Sequence, residues 1–191
     1  GRQHDLFFDP EVRLAVLASF ADAHPALARR FPCEVLDLTG ANKARRVLAE
    51  QTWLARTTRR TGAAVVHQAG GIAPLVAPAS NVLTIQDLQP LDLPANFTRT
   101  KRTYITSMIG RSARSAEVVT VPSEFTRSRV VELLRVQPER VEVVPWFVPP
   151  LPDDVDQEVE VPGVALDDPF FVYPAITYPH KQHRLLLDAF S

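Results

Sequence analysis

The sequence predicts an α/β fold built on a parallel sheet, and two observations carry that prediction. Short apolar runs alternate with longer stretches of helical period, the pattern of parallel strands joined by crossover helices. Apolar residues make up 46% of the 191 and charged residues 23%, a balance that supports a packed core and argues against disorder, collagen and coiled coil. No repeat of solenoid length and no low-complexity tract interrupts the pattern.

Taken in order, the strands are expected at Leu6 to Phe8, Glu34 to Leu38, Ala63 to His67, Val82 to Ile85, Glu117 to Val121 and Arg140 to Val144. Between them, Pro10 to Arg30 reads as a helix with an early proline and a break near Pro25, and Asn42 to Thr61 as a helix ending at Gly62. From Arg99 to Ala116, the residues Tyr104, Ile105, Met108, Ile109 and Ala113 form one apolar helical face, opposite a basic one. Ser123 stands where its hydroxyl can cap a helix running through Phe125, Val130 and Leu134. A stretch rich in proline and acid, including Pro149, Pro150, Asp153, Asp154, Asp156 and Pro162, then reads as an extended linker. Beyond it, Phe170 to Tyr173 reads as a strand and Lys181 to Phe190 as a helix. The expected organisation is therefore a first domain over residues 1–148, a linker over 149–168 and the opening of a second domain over 169–191.

Charge and composition exclude several functions. Twenty-one basic residues against 22 acidic ones leave a formal charge of −1, so nucleic acid is not the expected partner. Cys33 is the only cysteine, which rules out an intrachain disulfide and a cysteine-rich zinc cluster and suits a cytoplasmic setting. His180 and His183 could share a metal face, but no third ligand is suggested, so no metal is expected. The seven glycines form no Gly-x-Gly-x-x-Gly after a strand, which argues against a dinucleotide oxidoreductase. Arg99, Lys101, Arg102, Arg111 and Arg114 could meet an anionic membrane surface, though a solvated helix face is the commoner outcome.

Three segments could carry chemistry. His67, Gly70 and Gly71 follow a strand at the edge where open α/β sheets bind ligands, and glycines let backbone N–H groups approach closely; an ordinary strand exit is the alternative. Gln86 and Asp87 end the next strand, where Asp87 could hold a sugar-like hydroxyl or simply cap the following turn. Lys181 lies at a helix start, where an ammonium and free N–H groups can meet a phosphate, although a surface lysine is the commoner case.

Read in order, these segments resemble the GT-B glycosyltransferases of family 4, from about Val47 to Ser191. The resemblance rests on Val82 to Leu88, on the run Ser115-Ala116-Glu117-Val118-Val119-Thr120-Val121-Pro122-Ser123-Glu124-Phe125-Thr126, on Pro138 to Pro145, and on Pro179-His180-Lys181-Gln182-His183 with Leu185 to Phe190. It implies a Rossmann-like doubly wound sheet, the N-terminal half of a GT-B transferase, truncated at both ends here. It implies retaining transfer from a UDP- or GDP-linked sugar to a saccharide or lipid-linked acceptor, with no cofactor beyond the donor. Gln86 and Asp87 would take the catalytic positions, His67, Gly70 and Gly71 the acceptor side, and Lys181 the donor diphosphate. A contact with the inner face of the membrane and a homo-oligomer both stay open.

The departures matter too. Gln86 stands where the family usually has histidine, and glutamine cannot act as a base near neutrality. Ala175 stands where many relatives have arginine, six residues before the lysine. Glu124 and Glu132 show the family's E-x7-E spacing only by coincidence, because that pair belongs later in the donor domain. The 191-residue chain alone is expected to transfer little or no sugar, and a non-catalytic binding or assembly module is the alternative.

Overall fold

The computed structural model describes residues 12–38, 42–76, 79–148, 150 and 170–190, without the Lys43 side chain. The chain divides into two compact units, Gly1–Phe147 and Val148–Ser191.

In the first unit, β1 (Leu14–Leu17) and β2 (Cys33–Leu36) form a parallel pair in which Leu14 lies beside Cys33. Between them run two short helices, α1 (Ala18–Ala23) and α2 (Pro25–Arg30). The single helix expected from Pro10 to Arg30 is thus corrected at its start. Leu14 donates its backbone N–H to the Pro32 carbonyl, 2.9 Å away, and the parallel ladder overrides the helical preference of this leucine- and alanine-rich run. The expected break at Pro25 is present, with proline in the first turn of α2. The strand expected at Leu6 to Phe8 lies outside the described residues.

The main sheet follows: β3 (Val65–Gln68), β4 (Ser80–Thr84), β5 (Val118–Val121) and β6 (Val141–Val143), all parallel and in sequential order. α3 (Lys43–Thr61) leads into β3. Asn42 caps its start by accepting the Arg45 N–H, and Gly62 closes its end in the left-handed region at φ 65°. α5 (Arg99–Ser115) leads from β4 to β5 and α6 (Glu124–Leu134) from β5 to the edge strand β6, capped by Thr98 and Ser123. A one-turn helix, α4 (Gln89–Asp92), lies between β4 and α5; its Gln-Pro-Leu-Asp sequence is too short for a periodic signal.

Alternation places Leu83 and Ile85 on one face of β4, Val119 and Val121 on the same face of β5. All four are fully buried against Ile109 and Ala113 of α5 and Val130 and Leu134 of α6. Arginines pin the edges of this core. Arg127 donates to the carbonyls of Val141 and Pro138, and Arg140 to those of Arg114 and Glu117.

The second unit holds a tight 3-10 turn, Pro179–Lys181, and then α7 (His183–Phe190). The strand expected at Phe170 to Tyr173 is absent; these residues are irregular. A strand exists through its ladder, and the described residues of this unit offer no second strand to pair with. Instead the segment folds on itself: Ala175 donates to the Tyr173 carbonyl, and the Tyr173 hydroxyl donates to the Lys181 carbonyl at 2.9 Å. Most of the expected proline and acid linker lies outside the described residues.

Candidate functional site

The first unit carries its polar side chains where three parallel strands run out. His67 projects from β3, and its Nε2 shares a hydrogen bond of 2.7 Å with Thr84 Oγ1 on β4. The same hydroxyl shares another of 2.7 Å with Thr120 Oγ1 on β5, its direct partner in the ladder register. The three side chains thus form a continuous polar ladder across three strands, on the face opposite Leu83 and Val119. Thr84 and Thr120 were not singled out from the sequence. The signal that could have found them is register: each is a threonine late in its strand, and adjacent parallel strands place such residues side by side.

Beyond β3 the chain turns through Gly70 and Gly71. Gly71 has φ 76°, a left-handed backbone that favours glycine, and an added Cβ there would stand 3.8 Å from the Thr84 carbonyl and 3.7 Å from Ile109 Cδ1. This loop is anchored at Ala73, whose N–H donates to the fully buried Ser112 hydroxyl at 2.9 Å, and at Leu75, whose N–H donates to Gln51 Oε1 at 2.8 Å. Gly70 borders a cavity of about 1060 Å³, together with Val16, Trp53, Tyr104 and Ile105. Its walls are largely apolar, but Arg46, Glu50, Gln51 and Lys101 also line it. Gln51 Nε2 is buried without a hydrogen-bond partner in the described structure. Burial pushes the Glu50 carboxyl above its usual range, against the lowering effect of Arg46, which pairs with it at 3.5 Å. Burial, and then the charge of Glu50, push the Tyr104 phenol up as well.

Gln86 and Asp87 follow β4 and are exposed. Asp87 Oδ1 accepts the Gln89 backbone N–H at 3.0 Å, so the capping role foreseen for this aspartate is present. Asp87 also lines a second cleft of about 530 Å³ with Gln89, Asp92, Phe125 and Arg129. Structure therefore joins His67 to Thr84, sets Gly71 against the same strand end and turns Asp87 toward a separate cleft. Lys181 lies in the other unit. It is exposed at the end of the turn before α7, and its backbone N–H donates to the Tyr178 carbonyl. The nearby His183 Nε2 shares a 3.2 Å hydrogen bond with the Ala175 carbonyl.

The basic face of α5 is narrower than its sequence suggests. Half-buried Arg111 is drawn to the Leu75 carbonyl, to which it donates, while Arg99, Lys101, Arg102 and Arg114 are exposed, Arg114 also donating to the Leu134 carbonyl. No described helix is long and apolar enough to cross a membrane, and the described residues hold no cluster of three or more metal-ligating side chains.

A parallel α/β unit with polar groups gathered at its strand ends is an architecture that binds ligands at that edge. Residues 11–150 match Glycosyltransferase Family 4, and the chain belongs to that family, with the α/β fold of a Rossmann-like GT-B half. No curated protein matches the chain.

Proposed function

We propose that the first unit is the acceptor side of a retaining glycosyltransferase that moves a sugar from a UDP- or GDP-linked donor to a saccharide or lipid-linked hydroxyl. The observation that carries this reading is the His67, Thr84 and Thr120 ladder at the ends of adjacent parallel strands, with the Gly70 and Gly71 turn beside it. Such an edge offers hydroxyl and imidazole groups to a polyhydroxylated ligand, and backbone N–H groups that a side chain would otherwise screen. Gln86 and Asp87 stand at the reacting edge of the same unit. Gln86 can orient a hydroxyl but cannot take its proton.

In the transfer itself, the acceptor oxygen bonds to the anomeric carbon, the bond from that carbon to the diphosphate breaks, and the acceptor proton leaves. Negative charge grows on the departing diphosphate, so a cation and oriented N–H donors lower the barrier there. Lys181, at the turn that opens α7, takes that role in this reading. No metal is needed for it. The protein works in the cytoplasm, and the exposed Arg99, Lys101 and Arg102 suit contact with the inner face of an anionic membrane.

A second reading is favoured by Ala175, which supplies no cation six residues before Lys181: a binding module that keeps the fold without transfer. A thermal-shift titration with UDP- and GDP-sugars separates the two, because a ligand that binds only the folded state raises its melting temperature. The transferase reading expects a shift that disappears in Lys181→Ala. A shift of equal size in the variant, or none with any nucleotide sugar, removes Lys181 from the donor site.

A further inference from the structure

Lys181 sits on a turn that no ladder supports. In the second unit the described residues before α7 form no strand, and their backbone hydrogen bonds are short-range: Ala175 N–H to the Tyr173 carbonyl, Tyr178 N–H to the Ile176 carbonyl, and Lys181 N–H to the Tyr178 carbonyl. Gln182, the next residue, has φ 56°, a left-handed backbone that is unfavourable for a residue with a Cβ and persists only where its surroundings hold it. Lys181 itself is exposed, and none of the ion pairs among the described residues uses its ammonium.

Two side chains supply the missing support, each reaching across eight positions to a backbone carbonyl. The Tyr173 hydroxyl donates to the Lys181 carbonyl at 2.9 Å. That carbonyl belongs to the peptide group that enters Gln182, so the bond fixes the plane from which the left-handed φ is turned. From the far side, His183 Nε2 donates to the Ala175 carbonyl at 3.2 Å. A carbonyl can only accept, so Nε2 carries a proton, while Nδ1 is buried without a partner. The Tyr173 and His183 rings pack on one another, their centroids 5.0 Å apart at 54°. At the base of the segment Phe171 meets Phe190, the last residue of α7, edge to face at 5.0 Å. Gln182 is thus bracketed, because Tyr173 holds the residue before it and the residue after it holds Ala175.

We propose that Tyr173 and His183 are positioning residues for the donor, which keep the Lys181–Gln182 peptide in its left-handed turn so that the ammonium is oriented before a diphosphate arrives. This rests on the transferase reading above, in which Lys181 meets the departing diphosphate. Lysine carries its charge on a flexible four-carbon stem. A mobile turn beneath that stem would spread the charge over many placements and weaken binding by the fraction that is competent. Fixing the peptide removes the backbone share of that loss. Neither ring has to touch the ligand, since each acts on Lys181 through the main chain. Strained backbone of this kind gathers at ligand clamps, and here it adjoins an exposed ammonium.

The test is isothermal titration of the whole chain with UDP-glucose and GDP-mannose, paired with amide hydrogen exchange at Lys181 and Gln182. Tyr173→Phe keeps the ring and removes only the hydroxyl. His183→Leu removes the Nε2 donor, and His183→Gln returns an amide N–H at similar reach. The proposal expects faster exchange at both amides in Tyr173→Phe and in His183→Leu. It expects affinity for the nucleotide sugar that binds to fall about tenfold in each, as for a competent fraction cut to about a tenth. His183→Gln should restore both readouts. Because the pair acts through Lys181, Tyr173→Phe should add nothing in the Lys181→Ala background, whereas a general loosening of the unit would weaken binding in either background. Wild-type affinity in both Tyr173→Phe and His183→Leu, or an equal loss with and without Lys181, overturns the proposal. Binding that needs Lys181 but ignores both rings removes the positioning role and leaves the donor reading in place. Absence of binding by the wild-type chain removes the donor reading, and the positioning role with it.

Discussion

His67 Nε2 and Thr84 Oγ1 lie 2.7 Å apart across the β3 and β4 pair, and the Thr84 hydroxyl is shared with Thr120 at the same distance. A hydroxyl has one proton and two lone pairs, so Thr84 donates to at most one of these neighbours and accepts from the other or from both.

Thr84→Val keeps the branched shape and removes both hydrogen bonds. The pair with Thr120 is partly buried, whereas His67 is exposed, so the expected loss is about 1 kcal/mol, the net worth of one such bond. Urea denaturation measures it. Unchanged stability would show that the ladder serves binding alone.

Core and surface should respond in opposite ways to the same truncation. Leu83 is fully buried between α5 and α6, so Leu83→Ala should destabilise the first unit by about 2–5 kcal/mol through lost transfer energy and a residual cavity. Leu187 on α7 is 67% exposed, and Leu187→Ala should change stability by less than about 0.5 kcal/mol. Equal effects in the two variants would mean that α7 is buried in solution.

Much of this was legible in the sequence, for physical reasons that differ from segment to segment. α3 and α5 are long, periodic and capped by Asn42 and Thr98, so local rules and packing agree there. β4 and β5 are short apolar runs bounded by polar residues, and both fall where expected. Leu14 to Leu17 misled because leucine and alanine favour helix, while the ladder to Cys33 through Leu36 that decides the matter is non-local. Phe170 to Tyr173 misled in the opposite sense, since this run of strand-forming residues has no ladder partner among the described residues. The strand-end positions of His67 and Asp87 were legible in the sequence. The Thr84 and Thr120 pair needs the register between two strands, and the Arg129 contact with Asp92 spans 37 residues of sequence, so neither follows from a local pattern.

Glu50 gives a pH dependence with a definite sign. Its carboxyl is raised from the usual 4.5 chiefly by burial, so between 4.5 and the raised value the folded chain holds more protons than the unfolded one. Stability contributed by this group is therefore full below 4.5, falls as pH rises through that window and levels above it. Glu50→Gln should remove this decline, seen as the difference between wild-type and variant denaturation curves across mildly acidic pH. Arg46→Gln should steepen it, because Arg46 opposes the shift. Glu50→Gln should also lower the Tyr104 phenol in an ultraviolet titration, since the charge of Glu50 helps hold it up. A difference curve that rises with pH would contradict the burial argument.

The two glycines after β3 should separate backbone strain from open space. Gly70 has ordinary backbone geometry, and an added Cβ meets nothing within 4 Å, so Gly70→Ala should leave stability unchanged. At Gly71 the contacts to Thr84 and Ile109 are ordinary in distance, but φ 76° is a conformation that an alanine adopts only at a cost of about 1–2 kcal/mol. Gly71→Ala should therefore destabilise the unit by roughly that amount, or relax the turn and move the chain beside Thr84. Calorimetry reads the first outcome, and a change in the His67 and Thr84 resonances reads the second. If Gly70→Ala instead weakens a ligand while sparing stability, Gly70 matters for what approaches its N–H, and the turn joins the binding surface through Gly70 while Gly71 shapes its backbone.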